Sequence, residues 1–291
     1  MKTKLYIAAA IFATTFISTS CTSDSTLDDN LQVEQVEILD TTTEEVFESP
    51  DSDYHLPSAL QIAGIFKRSG MQFNAEAMNP TENASTYTTA AAQMLNFGVY
   101  SADIAFCVTN NQTNEARQLI VVIKDLAETQ GMAAIFDNKD LMDKFDASLG
   151  IKDSIEYVMI EIHERTEEYM AENQMTHSSA VHFAGAWIEG MHLGATDYMN
   201  NPENKNVSAQ IIEQMEILNN IIKGLKDPKN NELAIKDVIS DLETIETTYT
   251  NFESVQNYNS EESLVELNLS PEEFKELIAL IQDLRAKVIH A

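Results

Sequence analysis

The stretch FAGAWIEGMHLG, Phe183 to Gly194, is apolar on nearly every side yet carries Glu189 and His192. A carboxylate and an imidazole three positions apart can ligate a divalent metal, relay a proton or anchor a polar ligand. A second apolar stretch, AAAQMLNFGVYSADIAFCV from 90 to 108, carries Asn96, Tyr100, Asp103 and Cys107. An unpaired carboxylate is too costly to bury. Asp103 and Glu189 must therefore be paired, metal-bound, protonated or turned to a wet cavity. Three readings stay open: a polar network that fixes the register of two helices, a ligand or catalytic pocket, and an exposed Glu189.

The elements that would position these residues are helices throughout. Beyond Pro57 apolar residues recur at spacings of three and four, broken at Pro, Gly and Asn clusters. The pattern predicts helices over 57–69, 81–109, 113–130, 138–148, 151–174, 177–199, 204–226, 231–256 and 270–289. Ser58, Thr113 before Glu115, and Ser270 before Pro271 read as amino-terminal caps. No strand-like alternation or fixed-period repeat is present. Short connections favour antiparallel neighbours, so the expected fold is all-α, a multi-helix antiparallel bundle. The carboxy-terminal helices are amphipathic and read as outer walls. The helices holding 90–108 and 178–195 are apolar almost all round, the mark of two buried central helices.

At 100° per residue, Asn96, Tyr100, Asp103 and Cys107 fall within about 60° of one another. Ser178, His182, Glu189 and Thr196 form a comparable stripe on the second helix, with Gly185 and Ala186 within it and His192 on its flank. The candidate ligand-binding residues are therefore Asn96, Tyr100, Asp103, His182, Glu189 and His192, and the rival metal set is His182, Glu189, His192 and Asp103.

The metal motifs are incomplete. Glu189 and His192 have the Glu-x-x-His spacing of carboxylate-bridged bundles, in a single copy where two are needed. IHERTEE begins like a zinc-protease helix but has Glu167 where the second histidine belongs, and it reads as a solvated acidic face. GMHLGA resembles the Gly-x-His-x-x-Glu motif of imelysin-like lipoproteins, which are helical and associated with iron; Ala195 stands in the glutamate position. Calcium-loop, Gly-x-Ser-x-Gly and phosphate-loop patterns are absent. No cofactor and no catalytic residue is implied, and the twelve methionines read as core filler.

Lys2, Lys4 and the apolar block Leu5 to Ile17 read as a lipoprotein signal peptide, residues 1–20, too short to span a bilayer. ISTSC resembles a lipobox with Ser18 in place of the usual Leu, which implies acylation of Cys21 and an outer-membrane anchor. Residues 21–56 form an acidic flexible tether: Thr22 to Asp53 hold eleven acidic residues and no basic one. Residues 57–291 form the helical domain. With 18 basic against 47 acidic residues, nucleic acid is excluded as a partner, and an anionic membrane surface would repel the body. The lone Cys107 reads as a small buried hydrophobe.

LPSALQIAGIFKRSGMQF, NFGVYSADIAFCV and FAGAWIEGMHLG together resemble uncharacterised exported lipoproteins of Bacteroidota. The resemblance implies an all-helical fold, lipid anchoring and no assigned activity. The expectation is an outer-membrane lipoprotein on the periplasmic or surface face, a non-enzymatic binding or structural envelope protein whose partner is a small ligand or an envelope protein. A divalent-metal protein is the alternative. Cys21→Ala is expected to move the chain from the membrane to the soluble fraction; membrane retention of that variant on fractionation refutes the anchor.

Overall fold

The computed structural model describes residues 56–258 and 267–291, and its regular elements there are helices, with no strand among them. The expected signal peptide, Cys21 and all of the expected tether but Leu56 lie outside the described residues. Ser58 starts α1, Ala59–Arg68, with a capping box: its hydroxyl accepts the Gln61 N–H at 3.2 Å, and the Gln61 side chain accepts the Ser58 N–H at 2.7 Å. The Thr89 hydroxyl accepts the Ala92 N–H and starts α2, Ala90–Thr109. The expected helix 81–109 therefore begins late: Thr81–Thr86 make a 3-10 turn, and Tyr87 and Thr89 are extended. Threonine supplies the reason, since its hydroxyl competes for backbone N–H groups and favours a cap over a helix interior.

α3, Thr113–Thr129, keeps Thr113 inside its first turn, with Gln112 before it as cap residue and no side-chain cap bond. A single turn follows as α4, Ala133–Phe136, which the apolar spacing did not announce. α5, Lys139–Ser148, is capped by Asn138, and α6, Lys152–Glu172, and α7, Thr176–Asn200, follow. The stretch 204–226 divides into α8, Lys205–Gln214, a 3-10 turn at Met215–Ile217 and α9, Leu218–Leu225. α10, Lys236–Asn251, and α11, Glu253–Gln256, are separated by extended Phe252. A second capping box, Ser270 with Glu273, starts α12, Pro271–Ile289.

α2 and α7 are buried along nearly their whole lengths. Their backbones touch: a Cβ on Gly98 would run into the His182 carbonyl, and one on Gly185 into the Leu95 carbonyl. Glycine at both positions lets the pair approach closer than any side chain permits. The two helices point the same way, because Gly98 meets Ala186 and, further along both, Asp103 meets Glu189. α1 runs along them in the same sense, with Ile62 on Gly190 and Phe66 on Gly194. Antiparallel packing follows from short connections, and α2 and α7 are joined by four intervening helices, so that constraint does not act on them.

The central pair parts the interior into two apolar clusters. On one side Tyr100, Ile104 and Cys107 pack with Ile123, Leu126, Phe136 and Phe145. On the other, Trp187, Ile188 and Met191 pack with Leu218, Ile221, Leu277, Ile281 and Leu284. The Trp187 indole N–H donates to the Gln214 carbonyl at 3.2 Å, so this large ring is buried without an orphaned donor.

Gly98→Ala forces a methyl group into backbone that has no room to yield, and is expected to cost about 3 kcal/mol. That corresponds to a fall in Tm of roughly 6–12 °C. Gly64, whose Cβ would meet only the mobile end of Arg68, is the control: Gly64→Ala should raise Tm by about 2 °C through helix propensity. Thermal unfolding by circular dichroism checks both, and equal shifts would refute the close crossing.

Candidate functional site

On the α12 side of the central pair, Glu189 is fully buried and meets Arg285, whose Nε and Nη2 reach its two oxygens at 3.0 Å each. This bidentate geometry is the strongest arrangement available to a guanidinium and a carboxylate. Arg285 Nη2 also donates to the Ala77 carbonyl at 3.2 Å. The His192 ring shares that carbonyl through Nε2 at 3.1 Å. A carbonyl only accepts, so Nε2 carries the hydrogen. Burial holds the His192 imidazole below its ordinary range, with Glu189 opposing.

Asp103 completes the network from α2. Its Oδ2 accepts the backbone N–H of Asn79 at 3.0 Å, while Oδ1 is buried with no N–H or O–H donor on it. Burial first, and the adjoining Glu189 second, push the Asp103 carboxyl well above the usual carboxylate range, with the Asn79 N–H and Arg285 opposing. One guanidinium faces two carboxyls, and a proton on Asp103 donated to Glu189 would satisfy both groups. Asn96 donates to the carbonyls of Ala92 and Val288 at 2.9 and 3.0 Å. The Asn79 amide donates to the Tyr87 hydroxyl at 2.9 Å, and Tyr87 donates in turn to the Ile289 carbonyl at 3.2 Å. The Tyr100 hydroxyl donates to the Pro80 carbonyl at 2.8 Å. Burial pushes the Tyr100 phenol and the Cys107 thiol up, so neither ionises near neutrality; Cys107 rests on the Met78 sulfur at 3.4 Å.

Asn96, Tyr100, Asp103, Glu189 and His192 therefore converge, as one face of α2 and one of α7 predict. Their partners are Ala77, Asn79 and Pro80 of the segment before α2, and the last turns of α12. The network clasps both segments to the core. His182 does not join it. The helix crossing at Gly98 and Gly185 sends His182 to the opposite side, where Nε2 lies 2.7 Å from Gln130 Oε1 and the ring stacks on Phe97 at 4.7 Å between centroids. The proposed metal set is thereby divided, with Arg285 seated on Glu189. Among the described residues no group of three or more His, Cys, Asp or Glu is placed to hold a metal ion.

His182 instead lines a half-open cavity of about 390 Å³ between α1, α2, α3, α6 and α7. Phe97, Ile104, Ile123, Met159, Ile162 and Phe183 supply apolar wall; neither Asp103 nor Glu189 reaches it. The polar wall includes His163, Thr166, Glu167 and Glu168 on α6, Thr176, His177, Ser179 and His182 on α7, and Asp227. His163 and Glu167 are half-buried and turn inward, a correction to the solvated face expected of IHERTEE; their neighbours Glu164 and Glu168 are the exposed ones. Glu167 accepts the Ser179 hydroxyl at 3.0 Å, and burial pushes its carboxyl up while that bond lowers it. Burial lowers the His163 imidazole, and brings that of His182 to about 4.

Arg285 was legible in principle: it falls on the apolar stripe of α12 with Leu277, Ile278, Ile281, Leu284 and Val288, where an arginine must find a buried anion. Asn79 and Tyr87 lie in irregular chain that carries no periodic signal. No family model, curated protein or solved structure matches the chain.

The Asp103 carboxyl sets a pH dependence. An unfolded aspartate titrates near 3.9, so between about pH 4 and the raised native value the native state binds more protons than the unfolded state. Stability therefore falls as pH rises through that window. Asp103→Asn keeps an acceptor for the Asn79 N–H and a donor for Glu189 without titrating. It is expected to leave Tm unchanged at pH 4 and to raise it at pH 7, by roughly 2–4 °C per kcal/mol recovered. A variant less stable than wild type at both pH values would show that Asp103 is ionised in the native protein.

Proposed function

We propose that the chain is a non-enzymatic binding lipoprotein of a bacterial envelope, anchored in the outer membrane by acylated Cys21, which holds a small, largely apolar molecule between α1, α2, α3, α6 and α7. The observation that carries this reading is the cavity of about 390 Å³ with apolar walls and a short polar side. Its size lies within the range of small-molecule sites, about 300–1,000 Å³, and convergent polar groups on an apolar wall are what such sites use to orient a ligand.

The buried network supports the same reading by what it leaves unused. Asp103, Glu189, Arg285 and His192 are committed to one another and to the chain segments they hold. A general acid or base must reach a substrate within hydrogen-bond distance, and none of these four lines the cavity. The alternative of a divalent-metal site at His182, Glu189, His192 and Asp103 has no comparable support. ISTSC and the acidic residues after it support the anchor and the tether.

The test uses the full chain carrying Cys21→Ala, which needs no detergent, and N-phenyl-1-naphthylamine, a neutral dye that brightens in apolar surroundings. Near-stoichiometric binding is expected. Ser101→Trp, placed in the cavity wall on α2, should weaken the dye by about tenfold or more with little change in Tm. Undiminished binding by that folded variant, or no binding by the parent, overturns the cavity as the ligand site.

A further inference from the structure

The polar side of the cavity is lopsided in its chemistry. His182 is the clearest case. The Gln130 amide nitrogen donates to the carbonyls of Leu126 at 3.1 Å and Gln93 at 3.5 Å, which fixes its orientation and leaves Oε1 as the atom facing His182. Oε1 only accepts, so His182 Nε2 is the protonated nitrogen. The ring is neutral at pH 7, since burial has brought it to about 4. Nδ1 is then a bare lone pair. It has no hydrogen-bond partner, on a side chain more than nine-tenths buried that lines the cavity.

Glu167 is the second acceptor. Its carboxylate lines the same wall and takes the Ser179 hydroxyl, and Ser179 stands three residues before His182 on α7. Side chains three apart on a helix lie about 5–6 Å from each other at Cβ, so one small head group can address both. Glu168 and Asp227 add negative charge to the wall, and no Lys or Arg among the described residues lines it. A carboxylate or phosphate head would meet the like charge of these carboxylates with no lysine or arginine opposite it. A hydroxyl offers one hydrogen to two acceptors. A protonated amine offers several, together with the charge that a desolvated carboxylate lacks.

We infer that the ligand of this cavity is an apolar molecule bearing a protonated primary or secondary amine, whose N–H groups reach the Glu167 carboxylate beside His182 while its body packs on Phe97, Ile123 and Phe183. This rests on the cavity being the ligand site. It adds the head-group chemistry, and with it a selection against anionic lipids and fatty acids.

The experiment compares four probes with one apolar body: 4-phenylbutylamine, 4-phenylbutan-1-ol, 4-phenylbutanoate and butylbenzene. They are titrated calorimetrically into the full chain carrying Cys21→Ala at pH 7. The amine is expected to bind at least about tenfold more tightly than the alcohol, with the carboxylate weakest. Glu167→Gln should bring the amine down to the alcohol and leave the alcohol's affinity within about twofold. The wild-type ratio of amine to alcohol stands by itself if that variant does not fold. Alcohol or butylbenzene binding as tightly as the amine overturns the inference and leaves the cavity reading intact. So does an amine advantage that survives Glu167→Gln, or binding of the naphthylamine dye with none of the four. Failure of the dye and of all four probes together overturns both.

Discussion

The structure depends on a guanidinium buried against two carboxyls. Arg285 lies nine-tenths inside the protein, and removing such a charge from water costs several kcal/mol before any partner is counted. Glu189 offsets that cost through two hydrogen bonds, and the Ala77 carbonyl accepts a third. Asp103 would add an excess negative charge to the same volume, and burial beside Glu189 makes protonation its cheaper state. Each member removes a penalty that another creates. Their value is specificity: only one register of α12 against α7, and one path for the chain from Ala77 to Pro80, lets every donor find its acceptor. An apolar cluster tolerates small slips that this network does not.

The glycine crossing of α2 and α7 divides the molecule's polar chemistry in two. Were the backbones farther apart, His182 and Glu189, a heptad apart on α7, would sit on one continuous face. With Gly98 seated on the turn between His182 and Ala186, and Gly185 on Leu95, α2 itself stands between them. One half closes over Asp103 and Glu189 and becomes structural. The other half opens toward α3 and α6, whose apolar side chains do not fill the space left beside Phe97 and Phe183. Closure on one side and vacancy on the other have a common geometric origin.

Most of the fold was legible because helices of this kind are specified locally. Each of the nine expected spans agrees closely with observed elements at one end or both, and the two capping boxes, at Ser58 and Ser270, stand where their side chains predict. The disagreements occur where backbone competition or tertiary packing decides: Thr81 to Thr89 spend their hydroxyls outside a helix, and Met215 and Phe252 interrupt patterns that read as continuous. The polar faces of α2 and α7 were legible from angular spacing alone. The partners were not, because Asn79 and Ala77 act largely through backbone groups, to which side-chain periodicity is blind. His182 was assigned to the wrong company for a related reason. Angular position on a helix says which face a residue occupies, and only the crossing point says what that face meets. The inward turn of His163 and Glu167 was hidden by their charge and by the exposed glutamates around them.

What chemistry remains available follows from which polar atoms are still unspent. On the closed side Glu189, Arg285 and the ring nitrogen of His192 that faces Ala77 are paired, and Asp103 Oδ1 and His192 Nδ1 are sealed among them. On the open side His182 and Glu167 line a space large enough for a molecule, and the Glu167 carboxylate is an acceptor. A wall of acceptors and carboxylates with no Lys or Arg among the described residues carries no fixed cation of its own. It is well suited to holding a donor. The negative character of the rest of the chain acts in the same direction: 47 acidic against 18 basic residues raise the local concentration of cations around the body and repel anionic amphiphiles before they reach the cavity.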